Sequence, residues 1–280
     1  MPDTVQYFTV PNEDFVEVDK EFTGSDTNLC WAAASCDALW YSQWANTSMK
    51  WVTTEEQDGE DVQVQKYFES PTDVFLYTQK YFNDYGGFAY WHMMWMISGV
   101  SVGLEVGQDI LKQEGGGRYY NLTSKAAHNY IYCVTSENIL RLFNSWNYNY
   151  QNNGERCGVT VSIGFGDSAY APMTMQNITG YHEMPIWGFR WIGNDYSDPT
   201  KLVGIQVSDP DDQKNNFRYW LNATYDATVH MYELEPENPS DVPDGMLIKT
   251  APSKWLMDTT LIRQKPSTLI HYKDEKIVES

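Results

Sequence analysis

Near the start of the chain, a polar stretch changes abruptly into small and aromatic residues at 28–35, Asn-Leu-Cys-Trp-Ala-Ala-Ala-Ser. This pattern predicts a loop that passes into a buried helix, with the thiol of Cys30 in the first helical turn. The first N–H groups of a helix have no intrahelical partner and carry partial positive charge, so they stabilise a thiolate. Cys30 is therefore a candidate nucleophile. Because most cysteines are small buried apolar residues, this interpretation depends on a histidine and a carboxylate downstream.

Composition and charge restrict the partners of this chain. The 280 residues suffice for one large domain or two small ones, and 42% hydrophobic residues can fill a core. Lys+Arg 19 against Asp+Glu 38 gives a formal net charge of −19. This charge disfavours nucleic acid and anionic membranes as partners, because both are polyanions. The most apolar stretch, 88–106, contains His92, Glu105 and two internal glycines. It is too short and too interrupted to span a bilayer, so we expect no membrane insertion.

The aromatic content indicates an extracellular protein. The chain has 20 Tyr, 11 Trp and 11 Phe but only 20% charged residues, a composition common in secreted hydrolases and sugar-binding modules. The N-terminus, residues 1–4, lacks the basic and apolar segments of a secretory signal. Either the protein is cytosolic or the sequence starts after a cleavage site. We expect the second, a secreted protein.

The four cysteines, Cys30, Cys36, Cys133 and Cys157, do not form a zinc pattern, because no Cys-x-x-Cys pair occurs. Cys36 lies in the same predicted helix as Cys30, and the other two flank a later helix. We therefore expect neither a metal nor an organic cofactor, and no disulfide framework.

Helices dominate the predicted first half of the chain and strands the second. Periodicity predicts helices at about 29–45, 72–83, 89–98 and 136–147, and strands at 158–165, 184–191, 202–207, 216–221 and 228–234. Residues 46–66 are polar and acidic and are predicted to be a surface excursion. The fold class is α+β in two lobes, with the nucleophile on a helix that faces a sheet.

A Pro-, Glu- and Asp-rich stretch at 235–245 predicts a boundary. It divides the chain into a domain at 1–236 and a C-terminal extension or linker at 237–280. The second part is either an arm that packs back on the core or a connection to a further domain.

His182 is the histidine in the most suitable local setting. It stands at the start of an apolar strand that ends in Trp187-Gly188, where an imidazole can be held rigidly against a thiolate. His92 lies in a core-like helix and is predicted to be a buried, satisfied histidine. The other three histidines have no supporting context.

An imidazole that carries a proton needs its far nitrogen fixed by an acceptor. Asp209 directly follows the predicted strand 203–207, and neighbouring strands would bring it to the same end of the sheet as His182. Asp211 is a near alternative, and Asp212 a weaker one. The same run also fits an Asp-rich turn that caps a strand, and it fits a calcium loop poorly.

An acyl-transfer enzyme also needs donors for an oxyanion. The Cys30 N–H at the helix start is one candidate. Lys20, ten residues upstream, could bring an ammonium across the loop at 23–28, or it could be a solvated surface lysine.

Several motifs occur in the order found in a known family. Residues 19–30 are similar to the run Lys-x-Phe-x-Gly-x-Asp-x-x-Leu-Cys, with the same distance from Lys to Cys. Residues 182–188 match His-x-x-x-x-Trp-Gly without a gap, and 206–211 are similar to Tyr-Val-Thr-Asp-Ser-Asp. Weaker similarity occurs at 86–101 and 153–165. The chain thereby resembles, over roughly 19–234, the IdeS/Mac-type immunoglobulin-degrading cysteine endopeptidases, a branch of the papain-like fold.

The sequence departs from this family at three points. Trp31 follows the cysteine where immunoglobulin-specific members have Gly, and Pro210 interrupts the Asp run. The stretch after about residue 234 matches poorly. These departures concern substrate specificity more than chemistry.

The resemblance implies a two-lobed papain-like fold, with the nucleophile at the N-terminus of a helix packed against an antiparallel sheet. It implies a Cys30–His182–Asp209 triad, with Lys20 in the oxyanion hole and Asp211 in support. The implied substrate is a host protein, with immunoglobulin as the candidate.

Three alternatives remain open: a papain-like thiol acyltransferase such as a transglutaminase, a secreted glycan- or immunoglobulin-binding module without catalysis, and an inactive homologue.

Overall fold

A computed structural model describes residues 4–18, 20, 27–45, 50–57, 59–82, 84, 86–99, 120, 122–166, 178–211 and 217–269. The helices are α1 (Cys30–Tyr41), α2 (Pro71–Gln79), α3 (Ala89–Ser98), α4 (Ser124–Ala127), α5 (Ile139–Asn153) and α6 (Leu247–Thr250). The strands are β1 (Val5–Thr9), β2 (Lys50–Gln57), β3 (Glu60–Tyr67), β4 (Ile131–Thr135), β5 (Gly158–Gly166), β6 (Ile178–Ile192), β7 (Leu202–Val207), β8 (Tyr219–Asp226), β9 (Met231–Pro236) and β10 (Ser253–Ile262). The α+β class is confirmed.

Most predicted elements occur with shifted ends. The helix α3 has its predicted bounds, whereas α1 ends at Tyr41, four residues early. The predicted strand 184–191 is the second part of β6, which begins at Ile178. The predicted surface excursion at 46–66 contains the hairpin β2–β3 instead of irregular chain.

The main sheet has eight antiparallel strands in the order β1-β6-β5-β10-β9-β8-β7, with β4 also paired to β10. The two parts of the long strand β6 pair with different strands. Its first part, through Pro185, pairs with β5, and its second part, from Ile186, lies between β1 and β7. Because β7, the last strand in this order, also pairs with β6, the second, the sheet closes on itself.

The C-terminal stretch contributes to this sheet. The strand β10 pairs with β5 along its length, with β9 near its start and with β4 at its end. A boundary at residue 236 therefore does not separate residues 253–262 from the sheet. Of the two alternatives for 237–280, an arm that packs back on the core describes this part, and residues 270–280 lie outside the described residues.

The buried apolar residues form two clusters. The sheet cluster includes residues of α5 and β5–β9, such as Phe143, Ile163 and Phe189. The helical cluster includes residues of α1, α2 and α3, such as Trp31, Val74 and Met93. The helix α1 also packs on β5 and β6, so it lies between the two.

Close packing of α1 on the sheet depends on small residues. An added Cβ at Gly158 would lie 2.2 Å from the Ala38 carbonyl oxygen, so only glycine allows the helix to approach β5 this closely. Ala32, Ala33, Ala34 and Ala38 are buried along the same helix. These contacts hold α1 against the sheet, and Cys30 lies in the first turn of this helix.

The described helices include none that is both long enough and apolar enough to cross a bilayer.

Candidate active site

Cys30 is the first residue of α1 and is partly exposed. Its N-cap residue, Leu29, supplies no side-chain hydrogen bond, so the first-turn N–H groups are not capped by that residue. The preceding residue is fixed, because the Asn28 N–H donates to the Asp84 carboxylate. The thiol therefore lies at a helix N-terminus on an anchored segment.

The next residue, Trp31, packs against the segment that contains Gly87. Its indole is 1% exposed and contacts Phe82 edge-on, with ring centroids 5.4 Å apart. An added Cβ at Gly87 would lie 2.6 Å from this indole, so Trp31 and Gly87 fit together. Trp31, a departure from the family pattern, is thus a packing residue here.

His182 lies in the first part of β6, opposite Ile163 of β5, and is 7% exposed. Its Nε2 lies 2.7 Å from Oδ1 of Asp209, and its side chain shares a hydrogen bond with Cys30. Burial by itself lowers the pKa of His182, but the charges and hydrogen bonds of Asp209 and Cys30 outweigh it. The pKa of His182 is therefore raised well above its usual value, which favours an imidazolium beside the sulfur.

Asp209 follows β7 and is 1% exposed. Its Oδ1 also accepts from the Asp211 N–H at 3.0 Å, and Tyr219 donates its hydroxyl to Oδ2 at 3.4 Å. The Trp187 indole N–H donates to Oγ of Ser208 at 2.9 Å, which holds the residue just before Asp209. The carboxylate is thus oriented from several sides, as a group that positions an imidazole needs to be.

Lys20, which is buried, and Asp211, which is partly exposed, form a second ion pair. Lys20 Nζ lies 2.6 Å from Asp211 Oδ1, and the lysine side chain has no exposure. The same Nζ donates to the Thr27 carbonyl at 2.6 Å, and the Lys20 N–H donates to the Pro210 carbonyl at 2.9 Å. Lys20 therefore joins the segment before Cys30 to the turn that carries Asp209. The contacts to Asp211 and Thr27 use two of the three N–H donors of the ammonium. One donor is left for an oxyanion, and that role of Lys20 stays a prediction.

A cleft of about 520 Å³ opens at Cys30 and His182. Its apolar lining includes Phe88, Trp91 and Leu247, and Glu183 is a further lining residue. The rings of Phe88 and Trp91 contact edge-to-face with centroids 4.6 Å apart. The cleft is large enough to bind a side chain of a substrate next to the thiol.

His182, Asp209 and Asp211 offer ligand atoms within 4.8 Å of one another, so a metal is a geometric alternative. Asp211 already has the Lys20 ammonium at 2.6 Å, and Asp209 holds the imidazole. A calcium ion would need six to eight oxygen ligands, and this cluster supplies two carboxylates. The arrangement therefore fits proton transfer better than a calcium loop.

The structure brings together all five predicted site residues: Cys30, His182, Asp209, Lys20 and Asp211. Asp212, the weakest alternative, lies outside the described residues. His92 is fully buried between the Ser35 and Thr78 hydroxyls, as expected for a structural histidine. Sequence reasoning missed Glu183, although an acidic residue within an apolar strand is a signal that could have indicated it.

A scan against protein-family models and a search of curated proteins give no match to this chain.

Proposed function

We propose that the protein is a cysteine endopeptidase with a papain-like arrangement of its catalytic groups. One observation carries this proposal: the thiol at the start of α1 hydrogen-bonds His182, whose Nε2 is held 2.7 Å from Asp209. A nucleophile, a base and a group that orients the base are the components of covalent acyl transfer.

The first half of the reaction is acylation of the thiol. The Cys30 thiolate attacks the carbonyl carbon of a peptide bond, and the carbonyl π electrons move to oxygen. The Cys30 N–H at the helix start is a donor for this oxyanion, and Lys20 is the second candidate. When the C–N bond breaks, His182 gives its proton to the leaving amine, and a thioester remains on Cys30.

Hydrolysis then releases the acyl group. Neutral His182 takes a proton from water, whose oxygen attacks the thioester carbonyl, and the products are a carboxylic acid and the thiolate. Asp209 keeps the imidazole in one orientation and stabilises its charged form in both halves. This sequence uses only side chains, backbone donors and water, so it includes no step on a metal or cofactor.

The finer assignment is an IdeS/Mac-type peptidase that is secreted and cleaves a host protein, with immunoglobulin as the candidate substrate. Its support is the set of sequence motifs, together with the proximity of the residues that those motifs contain. The net charge of −19 is unfavourable for nucleic-acid substrates.

The test compares wild type with Cys30→Ser and Cys133→Ser on casein and on purified immunoglobulins, with fragment masses as the readout. We expect cleavage by wild type and Cys133→Ser, whose exposed thiol lies on β4, and none by Cys30→Ser. Cleavage of casein alone would remove the immunoglobulin assignment. Amine crosslinks without new carboxylates would indicate the acyltransferase, and binding that survives Cys30→Ser without any reaction would indicate a binding module.

A further inference from the structure

A row of polar side chains crosses the sheet beside the thiol. Glu183 of β6 pairs with Ser162 of β5, and Ser162 pairs with Asp258 of β10. Residues directly opposite each other in antiparallel strands share a face, so these three lie side by side. Glu183 is 4% exposed and Ser162 1%, and Glu183 lines the cleft at Cys30. This row therefore reaches the wall of the cleft.

Among the described residues, the one cation whose charge acts on Glu183 is the neighbouring His182, which is already paired with Asp209. Burial and the charge of Asp258 raise the pKa of Glu183 well above its usual value, and burial raises that of Asp258 to about 6. Among the residues that the structure describes, no lysine or arginine forms an ion pair with either carboxyl group. The Ser162 Oγ is buried and has no hydrogen-bond partner in the part of the chain that the structure describes. Buried polar groups are normally satisfied, so a donor-rich ligand group would complete this row.

Glu183 is also held in place. Its carboxylate accepts a hydrogen bond from the Ala89 N–H, at the first residue of α3. A carboxylate has about four lone-pair sites, so this bond leaves room for further donors. The carboxyl group is thus held by the helix N-terminus with acceptor sites to spare. Burial disfavours its ionised form, and a cation bound beside it restores that form.

The aromatic part of the cleft suits a cation as well. Phe88 and Trp91 line the same cleft as Glu183, and aromatic faces attract ammonium and guanidinium groups. The net charge of −19 also favours the approach of a basic segment over an acidic one.

We propose that the cleft beside Cys30 binds a lysine or arginine side chain of the substrate, with the Glu183 carboxylate as its counter-charge. This rests on the proposed peptidase function and names the substrate class of that site, a basic segment of polypeptide.

The test uses reagents that label the thiol without any cleavage of a peptide bond. The first pair of reagents is two peptidyl chloromethyl ketones whose last residue, the one that bears the ketone, is either arginine or norleucine. In the second pair, the residue before that one is either arginine or norleucine. The readout is the second-order rate of labelling of Cys30 by intact mass and peptide mapping, for the full chain. We expect the arginine reagent of one pair to react at least about tenfold faster, the range for a charge-assisted hydrogen bond.

Glu183→Gln keeps an acceptor for the Ala89 N–H and removes the charge, so the arginine preference should fall to about twofold or less. The control is Glu137→Gln, which neutralises an exposed carboxylate on the turn before α5. This variant should keep the arginine preference. Equal rates in both pairs, an undiminished preference in Glu183→Gln, or no labelling of Cys30 would overturn the proposal. Selective labelling without hydrolysis of any protein would instead contradict the peptidase function and leave the basic subsite standing.

Discussion

His92 on α3 and His182 on β6 are both buried, yet their surroundings differ in charge. His92 has the hydroxyls of Ser35 and Thr78 at its two ring nitrogens, and burial lowers its pKa to about 3. His182 has Asp209 and Cys30 as partners, which raise its pKa well above the usual value despite burial. Neutral partners leave the cost of desolvation uncompensated, whereas anionic partners reverse its effect.

A single helix supplies one partner to each histidine. Cys30 lies in the first turn of α1 and hydrogen-bonds His182. Ser35, five residues later on the same helix, hydrogen-bonds His92. Burial of an imidazole therefore does not by itself indicate a catalytic base. The nature of the partner decides whether the imidazole stays neutral or becomes an acid.

The largest expected effect comes from His182→Ala. The thiol of Cys30 loses the imidazolium that stabilises its anion, so we expect proteolysis to fall by about 10³-fold or more. Labelling by iodoacetamide near neutral pH, expected to be rapid and stoichiometric in wild type, should be lost or much slowed. Measured labelling rates that are equal in the two proteins would contradict an activated ion pair.

Asp209→Asn should have the next largest effect, a loss of about 10²- to 10⁴-fold in kcat/KM. Removal of the carboxylate charge lowers the pKa of His182, so the imidazolium is lost at lower pH and the alkaline limb of the pH–rate profile should move to lower pH. Asp241→Asn, remote from the cleft on the turn after β9, is the matched control. An unchanged profile would show that Asp209 does not tune His182.

His92 should act on stability in acid. The unfolded chain protonates this imidazole near 6.5, but the folded protein does so only near 3, so the unfolded state binds more protons in between. The free energy of unfolding should therefore fall as pH decreases from 6.5, by about 1.4 kcal/mol per pH unit from this group. Urea unfolding at pH 7 and pH 5 measures the slope, which His92→Gln should reduce and His128→Gln, at an exposed histidine, should not. A slope that is equal in all three proteins would be inconsistent with a neutral buried His92.

The smallest effect is expected at a third histidine. His230 lies 2.6 Å from Glu137, but the two side chains are 64% and 49% exposed. Exposed ion pairs contribute at most about 1 kcal/mol, so His230→Gln should change the free energy of unfolding by less than that and leave proteolysis unchanged. A loss of activity in this variant would extend the functional site to the far end of β8 and β9.

The sequence predicted the local settings of the site better than the extent of the sheet. A thiol at a helix start is a local pattern, and Cys30 occurs in that setting. His182 lies on the expected strand but not at its start, because β6 begins four residues earlier, at Ile178. The Lys20–Asp211 ion pair was not predicted, because it joins two loops that are distant in sequence. The strand β10 was assigned to an extension or linker, since no local signal says which neighbours a strand will have.

The cleft itself could be predicted only in part. Glu183 was passed over because the strand around it is apolar, and a strand pattern does not show which residue faces a cavity. The pairing of Trp31 with Gly87 was also beyond sequence reasoning, because it depends on a distance of 2.6 Å between a ring and an absent Cβ. Such contacts follow from how α1 packs against the segment before α3 within the helical cluster.

The place of β10 has a consequence for biosynthesis. Among the strands that the structure describes, a ribosome makes residues 253–262 last, yet this segment joins β5 to β9. The nascent polypeptide therefore carries Cys30, His182 and Asp209 long before the sheet that supports them is complete. Since pairings between distant segments form slowly, we expect the sheet around these three residues to be complete only after residues 253–262 have been made and have paired.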